Sequence, residues 1–136
     1  MKPGEILEKS ALRIGVLLIA IINAIFHGIL VQFIQYSLVN GLYFLVTAIL
    51  FAAGGIATVT SAKVSKIAVP GLFILALIDN ILIAITASFA TPLSGGQSYG
   101  WGSITDINPP GQIPVFIVQI ILILLTALLL SKRKTA

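Results

Sequence analysis

The sequence predicts an all-α polytopic membrane protein: an antiparallel bundle of four transmembrane helices in one domain over residues 1–136. Hydrophobic residues make up 58 % of the chain and charged residues only 9 %, whereas an ordinary soluble domain has about 25 % charged residues. The apolar residues collect in four long stretches. All eight lysines and arginines lie at those ends of the stretches that would share one side of a membrane.

The composition excludes two broad classes of protein. A soluble domain of this size needs polar side chains over much of its surface, and eight basic and four acidic residues cannot cover it. Intrinsic disorder requires low hydrophobicity and high charge, which is the opposite of this chain. The sequence has no cysteine, which excludes disulfide bonds, thiolate metal sites and thiol nucleophiles.

Each of the four apolar stretches is long enough to be a transmembrane helix. The stretches cover about residues 12–34, 42–62, 67–89 and 112–131. A hydrocarbon core of about 30 Å takes about 20 helical residues. The stretches are continuously apolar, whereas a strand of a membrane barrel alternates over about ten residues. The sequence therefore predicts helices that span a membrane, with a long connection at residues 90–111.

The basic residues predict the orientation of these helices. Lysines and arginines precede the first stretch, separate the second from the third and follow the fourth. Since positive charge collects on the cytoplasmic side, we expect a multi-pass protein of the cell membrane with both termini in the cytoplasm. The connection at residues 90–111 then faces outward, and we expect it to pack on the bundle, with Tyr99 and Trp101 at the membrane interface.

Short connections and small residues predict how the helices pack. The Lys63-Val64-Ser65-Lys66 segment is expected to form a tight inner turn between antiparallel neighbours. Small residues recur on the first three stretches, for example Ala20, Ala24 and Gly28 on the first. Such residues let helices approach closely in lipid, either within the bundle or between copies of the protein.

Polar side chains at membrane depth are the candidate functional residues. Asp79 lies near the middle of the third stretch, and a central aspartate opposes insertion by about 2.5 to 3.5 kcal/mol. A rise of about 1.5 Å per residue places one polar group of each stretch at nearly the same level. The candidate residues are Asp79, His27, Thr47, Gln119, Asn23 and Asn80.

Three roles are open for these residues. In the first, they form an internal hydrogen-bonded layer that fixes helix register, with Asp79 accepting from His27, Thr47 or Gln119. In the second, Asp79 and His27 form a proton or ion relay, since intramembrane carboxylates and imidazoles mark such paths. In the third, they form an interface with another membrane subunit. The first two roles require Asp79 to point into the bundle.

Other kinds of chemistry find no support in the sequence. A bis-histidine haem needs two histidines, and His27 is the only one in the chain. Zinc needs more ligands than His27 and Asp79. Phosphate-binding, dinucleotide-binding and hydrolase motifs do not occur. We therefore expect no cofactor, no metal, no enzymatic activity and no nucleic-acid partner; the basic tail at residues 132–134 serves as a topology anchor beside anionic lipid.

The order of features resembles a group of known proteins. His27 in mid-helix is followed by Gly41-Leu42-Tyr43-Phe44, a helix rich in small residues and a short basic turn. The last helix, Val115 to Leu130, carries one glutamine and precedes a basic tail. This pattern resembles uncharacterised small four-helix membrane proteins of archaea. The resemblance implies a four-helix fold and transfers no activity.

The expected function follows from these observations. We expect a structural or accessory subunit of a larger membrane assembly or of a homo-oligomer, in contact with membrane lipids and with other subunits or copies of itself. The alternative is a small proton- or ion-coupled carrier or channel that uses Asp79 and His27. The expected outward loops contain a single acidic residue, Asp106, and no lysine, arginine or histidine, so their charge would barely change between acid and neutral pH. We therefore expect a host that lives in acid or heat, such as a thermoacidophilic archaeon.

Overall fold

The computed structural model describes residues 3–35, 37–94, 96–107 and 110–134. Four α-helices occupy most of this length: α1 (Pro3–Leu30), α2 (Leu38–Thr60), α3 (Ala62–Ser88) and α4 (Gln112–Lys134). Short 3₁₀ segments follow α1 at Val31–Gln35 and α3 at Pro92–Ser94. Each helix contains a segment that is long and apolar enough to cross a membrane, so the prediction of an all-α fold with four long apolar helices is confirmed.

The connection between α2 and α3 is a single residue, Ser61. It ends α2 and begins α3 in an extended conformation, and its side chain accepts a hydrogen bond from the backbone N–H of Val64. A serine in this position satisfies one of the free donors of a helix N-terminus. The predicted turn at residues 63–66 is therefore wrong: these residues already form the first turns of α3.

The helices pack through four main interfaces: α1 with α2, α2 with α3, α3 with α4, and α4 with α1. Consequently α1 and α3 lie across a diagonal of the bundle. Val16, Phe51 and Leu122 are fully buried in the common core. A Cβ atom built on Gly55 would lie 2.9 Å from the Cβ of Ala20, which shows how closely α1 and α2 approach.

The outward faces of the helices carry large apolar side chains. Leu18, Val39, Ile67 and Leu124 are all more than half exposed. A soluble domain covers its surface with charged and polar residues instead, because they interact favourably with water. This surface matches a hydrocarbon environment. Gly28 also lies on the exposed surface, so only Ala20 and Ala24 of the predicted small-residue stripe on α1 are buried.

The long connection between α3 and α4 folds back onto the ends of the helices. The backbone N–H of Tyr99 donates to the carbonyl oxygen of Thr86 at 2.8 Å, and the Tyr99 hydroxyl accepts from the Asn40 side chain at 2.9 Å. The indole N–H of Trp101 donates to the Ser88 hydroxyl, and its ring meets Phe116 edge to face at 5.1 Å. The prediction that this segment packs on the bundle is confirmed for its described residues.

Candidate functional site in a buried polar layer

Six polar side chains from all four helices meet inside the bundle and form what we call the polar layer. Helix α1 contributes two of them, one turn apart, α2 and α4 contribute one each, and α3 contributes two consecutive residues. Five are buried and the sixth, Tyr43, is half-buried. The members are Asn23, His27, Tyr43, Asp79, Asn80 and Gln119.

The first part of the layer is a contact of three side chains around the Asp79 carboxyl group. One oxygen, Oδ2, lies 2.8 Å from Nε2 of His27. The other oxygen, Oδ1, accepts a hydrogen bond from the Tyr43 hydroxyl. Both oxygens of the carboxyl group are therefore bound by side chains of the same chain, one from α1 and one from α2.

The geometry fixes how many protons the His27–Asp79 pair shares. Nδ1 of His27 lies 2.8 Å from the backbone carbonyl oxygen of Asn23. A carbonyl oxygen only accepts hydrogen bonds, so Nδ1 carries a hydrogen. One further proton then lies between Nε2 and Oδ2. If it is on Nε2 the pair is an imidazolium and a carboxylate; if it is on Oδ2 the pair is a neutral imidazole and a carboxylic acid.

The second part of the layer is a directed chain of amides. The Asn23 side-chain amide donates to Oε1 of Gln119 at 3.1 Å, and the amide of Gln119 donates to Oδ1 of Asn80 at 2.5 Å. The Asn80 amide then donates to the backbone carbonyl oxygen of Phe116 at 3.3 Å. Each amide gives one hydrogen bond to the next, so the chain ties α1, α4 and α3 together.

The two parts of the layer share two short pieces of chain. Asn23 binds His27 through its backbone carbonyl and Gln119 through its side chain. Asp79 and Asn80 are consecutive on α3, and each belongs to one part. The carbonyl oxygen Oδ1 of the Asn23 side chain is buried without a hydrogen-bond partner among the described residues. Asn23, the first residue of the amide chain, therefore donates a hydrogen bond from its side chain but accepts none there.

Aromatic rings surround the imidazole of His27. Its ring centre lies 5.2 Å from that of Phe51 and 6.2 Å from that of Phe44, and both phenylalanines belong to α2. Rings of this kind keep water away and lower the local dielectric constant, and hydrogen bonds are electrostatically stronger in such surroundings. The same surroundings make an unpaired polar group costly, so the pairing of His27 with Asp79 matters for stability.

The structure brings five of the six predicted candidates into the layer. The predicted contact between His27 and Asp79 is present, whereas Gln119 binds Asn80 and Asn23 instead of Asp79. Thr47 is buried, but its hydroxyl donates to the backbone carbonyls of Tyr43 and Phe44 in its own helix. The expected hydrogen bond from Thr47 to Asp79 is therefore absent, and the Tyr43 hydroxyl occupies that position.

The layer's chemistry is that of proton exchange and hydrogen bonding. Among the described residues, no three histidine, aspartate or glutamate side chains are close enough together to bind a metal ion. His27, Asp79 and Tyr43 can each hold or pass a proton, whereas the amides of Asn23, Asn80 and Gln119 donate and accept without titrating. A protonatable triad therefore lies beside a non-titrating amide chain.

Comparison of the chain with known proteins found no match. No protein-family model, curated protein or solved structure matches the chain. Its function must therefore be inferred from the polar layer and from the apolar surface around it.

Proposed function

We propose that the chain is a non-enzymatic multi-pass membrane protein that acts as a structural or accessory subunit of a larger membrane assembly or of a homo-oligomer. In this proposal the four helices form an antiparallel bundle in the cell membrane with both termini in the cytoplasm. The polar layer locks the helices in one register. The observation that carries the proposal is that both oxygens of Asp79 and both ring nitrogens of His27 are bound by groups of this same chain.

Internal pairing is what a register lock requires. Polar groups in hydrocarbon are costly when unpaired, and a hydrogen bond to a charged group contributes about 1.5 to 3 kcal/mol. A shift of α3 by one residue would carry Asp79 about 100° around its helix and away from His27 and Tyr43. Such a shift would break the hydrogen bonds of Asn80 as well. The layer thus favours one arrangement of four otherwise apolar helices.

A subunit role is supported by the outer surface of the bundle. Large apolar side chains such as Leu18, Val39 and Leu124 point outward. In a membrane such faces contact either lipid or the helices of another subunit. Lys63 and Lys66 in the first turns of α3 and the basic residues of the C-terminal end support the proposed orientation.

A second candidate function is proton-coupled transport, and one observation favours it. The His27–Asp79 pair shares a single proton, and Tyr43 links Asp79 to a half-buried position near the start of α2. A proton could reach Asp79 from that end through the tyrosine hydroxyl. The opposite half of the bundle is packed with Val16, Leu72 and other buried apolar side chains. The buried polar side chains described there are the hydroxyls of Thr58, Ser65 and Thr126, and none of them is a carboxyl group or an imidazole. The structural role is therefore the better supported of the two.

Reconstitution of the full chain into liposomes separates the two functions. Under an imposed pH gradient, with a pH-sensitive dye inside, the structural role predicts a proton flux equal to that of empty liposomes for the wild type and for Asp79→Asn. The same preparation in mild detergent should have the mass of a homo-oligomer or of a complex with another subunit. A wild-type flux that Asp79→Asn abolishes at unchanged thermal stability would establish the carrier instead.

A further inference from the structure

An open groove runs between α2 and α3 on the outside of the bundle, away from the polar layer. It has a volume of about 580 Å³, is open to the outside and is lined by apolar residues only. Small residues form much of its wall. They include Ala53, Gly54 and Ala57 on α2 and Ala68 and Gly71 on α3.

The glycines show which part of the groove is open. A Cβ atom built on Gly54 would lie 2.6 Å from Cδ2 of Leu72, so Leu72 fills the space beside Gly54 and forms the floor. A Cβ atom built on Gly71 would have no neighbour within 4 Å. The space above Gly71 is therefore free for a ligand of narrow cross-section, such as a hydrocarbon chain.

One end of the groove carries positive charge. Lys63 and Lys66 lie in the first turns of α3, and both are exposed. Lys63 precedes the groove residue Ile67 by four positions, which places the two on the same side of the helix. Lys66 lies about 100° around the helix from Ile67, on the side away from the groove. The first turn of α3 has no acidic residue, and among the described residues neither lysine forms an ion pair. The positive end of the helix dipole adds to this charge.

We propose that the groove binds one acyl chain of an anionic phospholipid whose phosphate is held by Lys63. This inference rests on the proposed insertion of the four helices into a membrane. The apolar groove and the Lys63 side chain match the two ends of such a lipid. A second copy of the chain fits less well: copies in one membrane share their orientation, so pairing through this groove would bring lysines of both copies to the same depth, where they repel each other.

Native mass spectrometry of the full chain in detergent micelles tests the proposal. The protein is titrated with phosphatidylglycerol or phosphatidylcholine bearing identical oleoyl chains. We expect the anionic lipid to bind about tenfold more tightly, since each lysine near an anionic headgroup adds to the affinity. Lys63→Gln should abolish that preference. Lys66→Gln, which removes the same charge from the side of α3 away from the groove, should keep it.

Two groove-filling variants test where the acyl chain lies. Gly71→Leu and Ala53→Leu place a side chain in the groove from α3 and from α2, and each should weaken binding of both lipids about tenfold or more. Gly28→Leu is the matched control, because a Cβ atom at Gly28 also has no neighbour within 4 Å but lies on α1. Circular dichroism of each variant confirms that it is folded, and two independent filling variants allow for the failure of one.

Three results would overturn the proposal. The first is equal affinity of the wild type for both lipids, and the second is unchanged binding in both folded groove-filling variants. The third is a dimer that Gly71→Leu dissociates, which would show that a second copy occupies the groove. Release of the protein from membranes by alkaline carbonate would instead contradict the proposed membrane insertion, so failure of that premise is distinguished from failure of lipid binding.

Discussion

Nε2 of His27 lies 2.8 Å from Oδ2 of Asp79, and the two residues are only 1 % and 2 % exposed. They belong to α1 and α3, which lie across the diagonal of the bundle. Each of these two helices packs mainly against α2 and α4. The contact therefore joins the two helices that the apolar packing leaves apart. The position of the proton between His27 and Asp79 therefore affects the contact between α1 and α3.

Replacing Asp79 tests whether the pair needs its charge. In Asp79→Asn the amide oxygen can accept from Tyr43, and the amide nitrogen can donate to Nε2 of a neutral His27. We expect the free energy of unfolding to change by less than about 1 kcal/mol, whereas Asp79→Leu leaves both partners unpaired at about 1 to 3 kcal/mol each. Unfolding in mixed micelles titrated with SDS, followed by circular dichroism, gives both values. Equal losses in the two variants would mean that the ion pair itself holds the bundle.

Two substitutions on α2 distinguish the hydroxyl that binds Asp79 from the one that does not. Tyr43→Phe removes the donor to a buried carboxyl oxygen and should cost about 1 to 3 kcal/mol of unfolding free energy. Thr47→Val removes a hydroxyl that binds only backbone carbonyls of its own helix, so it should change stability by less than about 0.5 kcal/mol. The same SDS titration compares them. A larger effect of Thr47→Val would assign Thr47 a role that its contacts do not show.

The amide chain should behave as one unit. Gln119→Leu leaves the Asn23 amide and the Asn80 carbonyl without partners, and we expect a loss of about 2 to 5 kcal/mol. The double variant Asn80→Leu/Gln119→Leu should lose less than the sum of the single variants, by about 0.5 to 3 kcal/mol. Thr126→Val on α4 is the control, since Thr126 bonds only to its own helix. Additive losses in the double-mutant cycle would show that the two amides act independently.

Replacing glycine by alanine at Gly55 and at Gly28 should have opposite effects on stability. In Gly55→Ala the new Cβ meets the Cβ of Ala20, which is attached directly to the backbone of α1 and cannot turn away. We expect a loss of about 1 to 3 kcal/mol as α1 and α2 are forced apart. Gly28→Ala meets nothing and should gain up to about 1 kcal/mol of helix propensity. Thermal unfolding in detergent measures both, and a stabilising Gly55→Ala would contradict the close α1–α2 contact.

The proposed orientation is tested with single cysteines, because the natural chain has none. Ser98→Cys in the long connection should react with a membrane-impermeant maleimide added to intact cells. Thr135→Cys at the C-terminal end should react only after the cells are permeabilised. Labelling of Thr135→Cys alone in intact cells would reverse the orientation.

The sequence predicted the fold well because hydropathy and length decide whether a helix can span a membrane. It failed at the link between α2 and α3, where polar residues suggested a turn at residues 63–66. Lys63, Ser65 and Lys66 lie in α3, because Ser61 alone is both the C-cap of α2 and the N-cap of α3. Hydropathy shows only where the composition changes from apolar to polar. The start of α3 is set by the hydrogen bond that the Ser61 side chain accepts from the Val64 backbone N–H.

The site was predicted in part for a similar reason. A depth estimate from Cα positions placed His27 and Asp79 at one level, and these two residues do meet. On α2 the same estimate selected Thr47 and passed over Tyr43, one turn away. The hydroxyl of a tyrosine lies far from its Cα atom and reaches Asp79 from another level, whereas the short threonine side chain bonds to its own helix. Side-chain length was the signal that a Cα estimate leaves out.

If the four helices cross a membrane as proposed, the single-residue connection at Ser61 limits how the protein can adapt to bilayers of different thickness. A helix that is longer or shorter than the hydrocarbon layer adjusts by tilting, by sliding along the membrane normal or by deforming the lipid around it. Helices α2 and α3 cannot slide past each other, since one extended residue joins them. Hydrophobic mismatch must therefore tilt this hairpin as one rigid body, and α1 and α4, which pack against it, experience the same tilt.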